Sequence, residues 1–232
     1  MAGVITHLVV ANEMLHYLPE GTIKNKGLFY LGSFAPDAIH AREGYVRAYK
    51  KHTHFRDDIP DGDFELTENY EKYKLFLTEF MNKHKNRQDG LMDLYRGYVV
   101  HILTDELFLL TLRKDFLKIM KEYGIGQYEK PFFEKIVTDM HRNDMLLVKR
   151  YEAMDQIRAC LEEVTIYPIE DYIDEQEMKI SLEWLLSQHF YQPREILEPV
   201  YLSYQQMMEF IQMAAEEITM RLTEGRSLPN MF

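Results

Sequence analysis

A chain of 232 residues, 46% hydrophobic and 13% aromatic, is long enough to bury one sizeable core. Its formal net charge of −11 argues against nucleic acid or an anionic membrane surface as the main partner, because both reward positive charge. The single cysteine, Cys160, excludes an intrachain disulfide framework and a thiolate zinc cluster.

No run approaches the ~18 consecutive apolar residues of a membrane span. The start, Met1-Ala2-Gly3-Val4-Ile5-Thr6-His7, lacks a basic segment followed by a long apolar one. The chain therefore reads as soluble and cytoplasmic.

Thr6 is placed to cap a first helix carrying Leu8, Val9, Met14, Leu15 and Leu18, with Pro19 as its stop and His7 in its first turn. The apolar segment Gly27 to Phe34 predicts a short helix ending in a tight turn at Pro36-Asp37. An acid directly after so rigid a turn is well placed to act as a ligand or a base. Residues His40 to Asp63 read as a charged loop closed by the turn Ile59-Pro60-Asp61-Gly62-Asp63. If that loop is extended, His52 and His54 share a face.

From Thr67 onward helical periodicity dominates, through Tyr70 to Phe80, then a central helix from Leu91 to about Leu112, then Arg113 to Tyr123 up to Gly124. Pro131 to Leu161 reads as helix with a break near His141-Arg142-Asn143-Asp144. Ile180 to Phe190 and Pro193 to Leu222 read as two more. No β-hairpin signal, internal repeat or low-complexity tract is present. The expectation is a single all-α domain over residues 1–232, with a metal site in the core of its N-terminal half.

The central helix supplies the reason for a metal. His101 and Asp105 stand at i and i+4, on one face, inside the apolar run Tyr98 to Leu107. An imidazole and a carboxylate there need partners, and a divalent ion satisfies both. The same spacing serves the two histidines of zinc proteases.

Other chemistries find little support. His84 lies in the solvated run Asn82 to Arg87 and reads as bland; His189 reads as structural. Glu13-Met14-Leu15-His16 is a lone E-x-x-H, short of a di-iron pair. No adjacent His-Asp pair, Gly-rich phosphate loop or G-x-S-x-G elbow occurs. Trp184 and Met207, Met208 and Met213 read as core packing. What remains is an ordered donor set of His7, Asp37, His54 or His52, His101 and Asp105, suited to zinc or another borderline divalent ion.

Four stretches in this order resemble the zinc-dependent phospholipase C family. They are Thr6-His7-Leu8-Val9-Val10-Ala11-Asn12, Leu31-Gly32-Ser33-Phe34-Ala35-Pro36-Asp37, His52-Thr53-His54-Phe55, and Leu94 to Asp105 with its H-x-x-x-D. The likeness covers roughly the N-terminal half. It implies an all-α hydrolase of phosphodiester bonds, with a small phosphoester or a phospholipid as substrate. By the same likeness His54, preceding Phe55, is the ligand rather than His52. His101, Asp105, His54 and Asp37 would hold one ion, Asp105 would bridge to a second held by His7, and Asp37 would activate water. Position 111 is threonine where the family has a histidine, and His141 is followed four residues on by Met145 rather than an acid. The chain also begins Met1-Ala2 rather than with the family's metal-binding tryptophan, so the resemblance implies one or two zinc ions, not three.

Glu106 or Asp57 would be carboxylates able to fix imidazole tautomers. The alternatives are a metal-binding protein without turnover and a helical interaction domain in which His101 and Asp105 form a buried pair.

Overall fold

The computed structural model describes residues 2–60, 62–192, 195–224 and 228–232. Among them ten α-helices and no β-strand are found; one antiparallel bridge pairs Ile169 with Ile173. The fold is all-α, and no helix among the described residues is long and apolar enough to cross a membrane.

The helices are α1 (Val4–Met14), α2 (Lys26–Phe34), α3 (Arg47–Thr53), α4 (Thr67–His84), α5 (Met92–Leu110), α6 (Leu112–Glu122), α7 (Lys130–Arg150), α8 (Met154–Glu163), α9 (Glu175–Leu185) and α10 (Tyr204–Glu224). A 3₁₀ segment, Ala35–Ala41, continues α2, and a π-helical turn, Leu186–Tyr191, continues α9.

Helix α5 is the axis. It is buried from Asp93 to Phe108 except at Arg96, as its apolar composition on every side requires. Helix α1 is buried almost as fully, from Ile5 to Asn12 and at Met14. Helix α2 packs on both and approaches α5 at Gly32 and Gly97. A Cβ at Gly32 would stand 2.0 Å from the Leu94 carbonyl oxygen, and one at Gly97 2.1 Å from that of Phe29. Only glycine permits this backbone-to-backbone distance.

Helices α7 and α10 pack along α1, and α9 packs on the 3₁₀ segment. The polar faces turn outward; α6, with Leu112, Phe116 and Met120 buried four residues apart, is the simplest case.

Several sequence expectations need correction. Thr6 does not cap α1: Gly3 is the N-cap and offers no side chain. Instead Asp144, from α7, accepts hydrogen bonds from the amides of Ile5 (3.3 Å) and Thr6 (3.1 Å) and from Thr6 Oγ1 (3.0 Å). Those bonds also explain why α7 runs unbroken through His141–Asp144. Its mid-helix polar residues have tertiary partners, including Asn143 Nδ2 on the Leu202 carbonyl at 2.8 Å. The break falls after Arg150 instead.

The segment His40 to Asp63 is not all loop, because α3 forms within it. In the turn that follows, Asp63 donates to the Pro60 carbonyl at 3.0 Å, while Asp61 lies outside the described residues. The last helix starts at Tyr204, not near Pro193, which also lies outside the described residues. The Asp139 carboxylate accepts from the amides of Val200, Tyr201 and Leu202, holding them out of a helix. Trp184 is 52% exposed rather than in the core, whereas His84 is fully buried, stacked on Tyr95 at 3.9 Å.

Candidate metal centre

All five expected donors meet in one place. Helix α1 brings His7, the 3₁₀ segment Asp37, the C-cap of α3 His54, and α5 both His101 and Asp105. Two overlapping groups have their ligand atoms within 4.8 Å of one another: His7, His101 and Asp105, and Asp37, His54 and His101. These buried His and Asp groups are able to hold a metal ion.

The imidazoles are oriented by carbonyls. His101 Nδ1 lies 2.8 Å from the Ser33 carbonyl oxygen, and His54 Nδ1 lies 2.9 Å from that of Lys50. A carbonyl can only accept, and the Thr53 hydroxyl 3.0 Å from His54 Nδ1 directs its proton to the Pro36 or Lys50 carbonyl, so each Nδ1 carries the proton and each Nε2 a lone pair. Those two Nε2 atoms face one another at 3.2 Å. Burial holds the His54 imidazole down to about 4, and burial with the neighbouring His7 holds His101 well below its ordinary range, so both rings are neutral at pH 7.

His7 is fully buried and neither ring nitrogen has a hydrogen-bond partner; Nε2 stands 3.4 Å from Asp105 Oδ1. Asp105 also accepts from the Ala2 amide at 2.9 Å and from Arg56 Nη2 at 3.4 Å, and its Oδ2 is 3.7 Å from His54 Nε2. Asp37 Oδ1 lies 3.5 Å from His54 Nε2 and 2.5 Å from the buried Lys50 ammonium. Burial pushes the Asp37 carboxyl up, but the Lys50 ammonium beside it outweighs burial and holds the group well below the ordinary carboxylate range.

Local folding explains these positions. Lys50 and His54 stand one turn apart along α3. The chain then reverses at Phe55, whose backbone is left-handed at φ +56°, a conformation costly for a bulky residue. Its ring is buried against Phe80, Tyr98 and Tyr172, which holds the turn and so the His54 ring in place.

His52 does not share a face with His54. It points outward, half exposed, with Nδ1 2.7 Å from Asp57 Oδ2. Asp57 therefore orients a surface histidine, and Glu106 orients none of the donors. Glu106 is held by Tyr70, Tyr73 and Arg221, tying α4 and α10 to α5. His16 is exposed, so the E-x-x-H of α1 builds nothing.

Three residues at the centre escaped sequence reasoning. Lys50 and Arg56 sat in a run that read as loop charge; a helical reading of Arg47–Thr53 places Lys50 beside His54. Asp144 gave no local signal, because its role depends on α1 arriving across the fold.

The centre opens into a cavity of about 870 Å³ lined by Asp37, Asp144 and Arg56 at one end and by apolar side chains of α7 and α9 at the other. No protein-family profile, curated protein or solved structure matches the chain. The functional reading therefore rests on these residues and their geometry.

Proposed function

We propose that the protein is a metal-dependent hydrolase of phosphoesters, with zinc or a similar divalent ion at the centre. One observation carries this reading: two buried, neutral imidazoles aim lone pairs at each other across 3.2 Å, with both Nδ1 protons already committed to carbonyls. Without a cation that arrangement is repulsive. With one it becomes a donor pair, and two carboxylates stand beside it. Nitrogen and carboxylate donors without sulfur suit zinc.

His54, His101, Asp37 and Asp105 would hold the ion. The lone pair of His101 serves only one ion, so His7 with Asp105 offers a second, poorer position. When bound, such an ion supplies Lewis-acid activation of water and neutralises phosphoryl charge. Asp37 lines the cavity as an anion held by Lys50, and its depressed pKa suits orienting a water more than retaining its proton. The Arg56 guanidinium, beside Asp105, is placed to hold phosphoryl oxygens. The phosphodiester chemistry suggested by the family resemblance is one member of this class.

The test is elemental analysis of the purified protein and of His101→Ala, followed by turnover of p-nitrophenyl phosphate and its bis ester. The expected result is zinc in the wild type, little in the variant, and turnover lost in Asp37→Asn while metal is retained. No metal in either protein after reconstitution would sink the reading. Bound metal with no turnover would leave a metal-binding protein without catalysis.

A further inference from the structure

The cavity has two unlike ends, and the phosphoester reading uses only one. At the far end α7 presents Phe133, Ile136, Val137 and Met140, one face of a helix, opposite Ile180 and Trp184, one turn apart on α9. Ile136 and Met140 are buried and form the floor. Phe133, Val137, Ile180 and Trp184 form a rim that is 41%, 64%, 43% and 52% exposed. The cavity's size lies in the ~300–1,000 Å³ range of small-molecule pockets.

The walls are also unusual in charge. Arg47, Arg56 and Arg113 line them against two acids, Asp37 and Asp144. Both acids are held from within, Asp37 by Lys50 and Asp144 by the amides at the start of α1. Arg56 stands beside Asp105 at the metal centre, whereas Arg113 lies over the Phe132 ring, toward the start of α7. Guanidinium groups match phosphoryl oxygens in bidentate geometry. A terminal phosphoryl group, at about −1.5 to −2 near neutral pH, uses that charge more fully than a singly charged diester. A choline head would bring a second cation toward Arg56 and the ion.

Resting on the phosphoester reading, we propose that the occupant is a phosphate monoester or diphosphate of an apolar alcohol. Its terminal phosphoryl group lies at the metal centre and its apolar arm lies between α7 and α9.

Trp184 is the only tryptophan in the chain and stands on the rim, so its fluorescence reports the arm directly, whether or not turnover occurs. Metal-loaded protein is titrated with dodecyl phosphate below its micelle concentration, with dodecyl phosphocholine, and with inorganic phosphate. The expected result is a saturable blue shift with dodecyl phosphate and none with inorganic phosphate. Binding should weaken about tenfold or more for dodecyl phosphocholine and for Val137→Glu. Val137 is well exposed, so its replacement does not threaten folding. No blue shift with dodecyl phosphate, equal affinity for the two amphiphiles, or wild-type affinity in Val137→Glu would overturn the proposal. Metal content is measured on the same samples. Metal present without a shift sinks this inference alone, whereas metal absent sinks the phosphoester reading with it.

Discussion

The ring of His7 lies flat on that of His101, with centroids 3.6 Å apart and planes 10° from parallel. Packing suits the stack, yet hydrogen bonding does not, because neither nitrogen of the fully buried His7 has a hydrogen-bond partner and Nε2 stands 3.4 Å from Asp105 Oδ1. A buried polar group left unsatisfied costs about 1–3 kcal/mol. His7→Leu is therefore expected to stabilise the metal-free protein by about 1 kcal/mol, a rise of ~2–4 °C in Tm at this chain length. The same variant should bind less metal. Thermal melts in chelator and elemental analysis check the pair of effects. A lower Tm in chelator would mean that the stack on His101 and the contact with Asp105 outweigh the missing hydrogen bonds of His7.

Lys50 is the counter-ion of Asp37. Breaking a fully buried ion pair costs ~3–5 kcal/mol, because the surviving charge is left uncompensated. Asp37 keeps 17% side-chain exposure, so Lys50→Met should cost less, about 2–3 kcal/mol in denaturant unfolding of the metal-free protein. Added zinc should restore part of that loss, since an ion at the centre neutralises the same carboxylate. A deficit identical with and without zinc would place Asp37 away from the ion.

Much of this centre was legible because helical spacing is a local rule. His101 and Asp105 at i and i+4 had to share a face, and their apolar flanks had to bury them. Asp37 was marked by the tight turn read at Pro36-Asp37, although the chain there continues as the 3₁₀ segment Ala35–Ala41. What could not be read was what approaches from elsewhere. The tautomers of His54 and His101 are set by the carbonyls of Lys50 and Ser33, which every residue type possesses, rather than by Glu106 or Asp57. Asp144 acts at an α1 terminus 138 residues away in sequence, and Asp139 delays the start of α10 by a similar long-range bond. His84 looked solvated because its neighbours Lys83, Lys85 and Arg87 are charged, yet the ring turns inward onto Tyr95.

His84 also gives the pH dependence a measurable part clear of the centre. Burial, helped by Arg87 and Lys83, lowers its imidazole to about 4 from an ordinary 6.5. Between those values the unfolded chain binds a proton that the folded ring refuses. Stability therefore rises with pH across that window and is lost as pH falls from 6.5 toward 4. A single such group contributes a slope of at most about 1.4 kcal/mol per pH unit. His84→Phe, which keeps the stack on Tyr95, should flatten the metal-free stability profile below pH 6.5 by up to that amount. An unchanged slope would show that the buried ring accepts its proton as readily as an exposed one.

The close approach of α2 and α5 sets the geometry of the centre. A Cβ at Gly97 would meet the Phe29 carbonyl oxygen at 2.1 Å and the Ser33 amide nitrogen at 2.7 Å, both backbone atoms that cannot swing aside. Gly97→Ala therefore has to push α2 away from α5. That movement carries with it the Ser33 carbonyl, which holds His101 Nδ1 at 2.8 Å. Overpacking of this kind costs roughly 1–3 kcal/mol. The more telling effect is expected on metal occupancy at fixed free zinc, because a displaced acceptor frees the His101 ring to turn its lone pair from His54. Leu222→Ala, on the buried face of α10, is the matching control. It should cost at least as much stability, about 2–5 kcal/mol, without moving either glycine, and should keep its metal while folded. Equal occupancy in the two variants would mean that the ring is fixed by its surroundings and not by the spacing of α2 and α5.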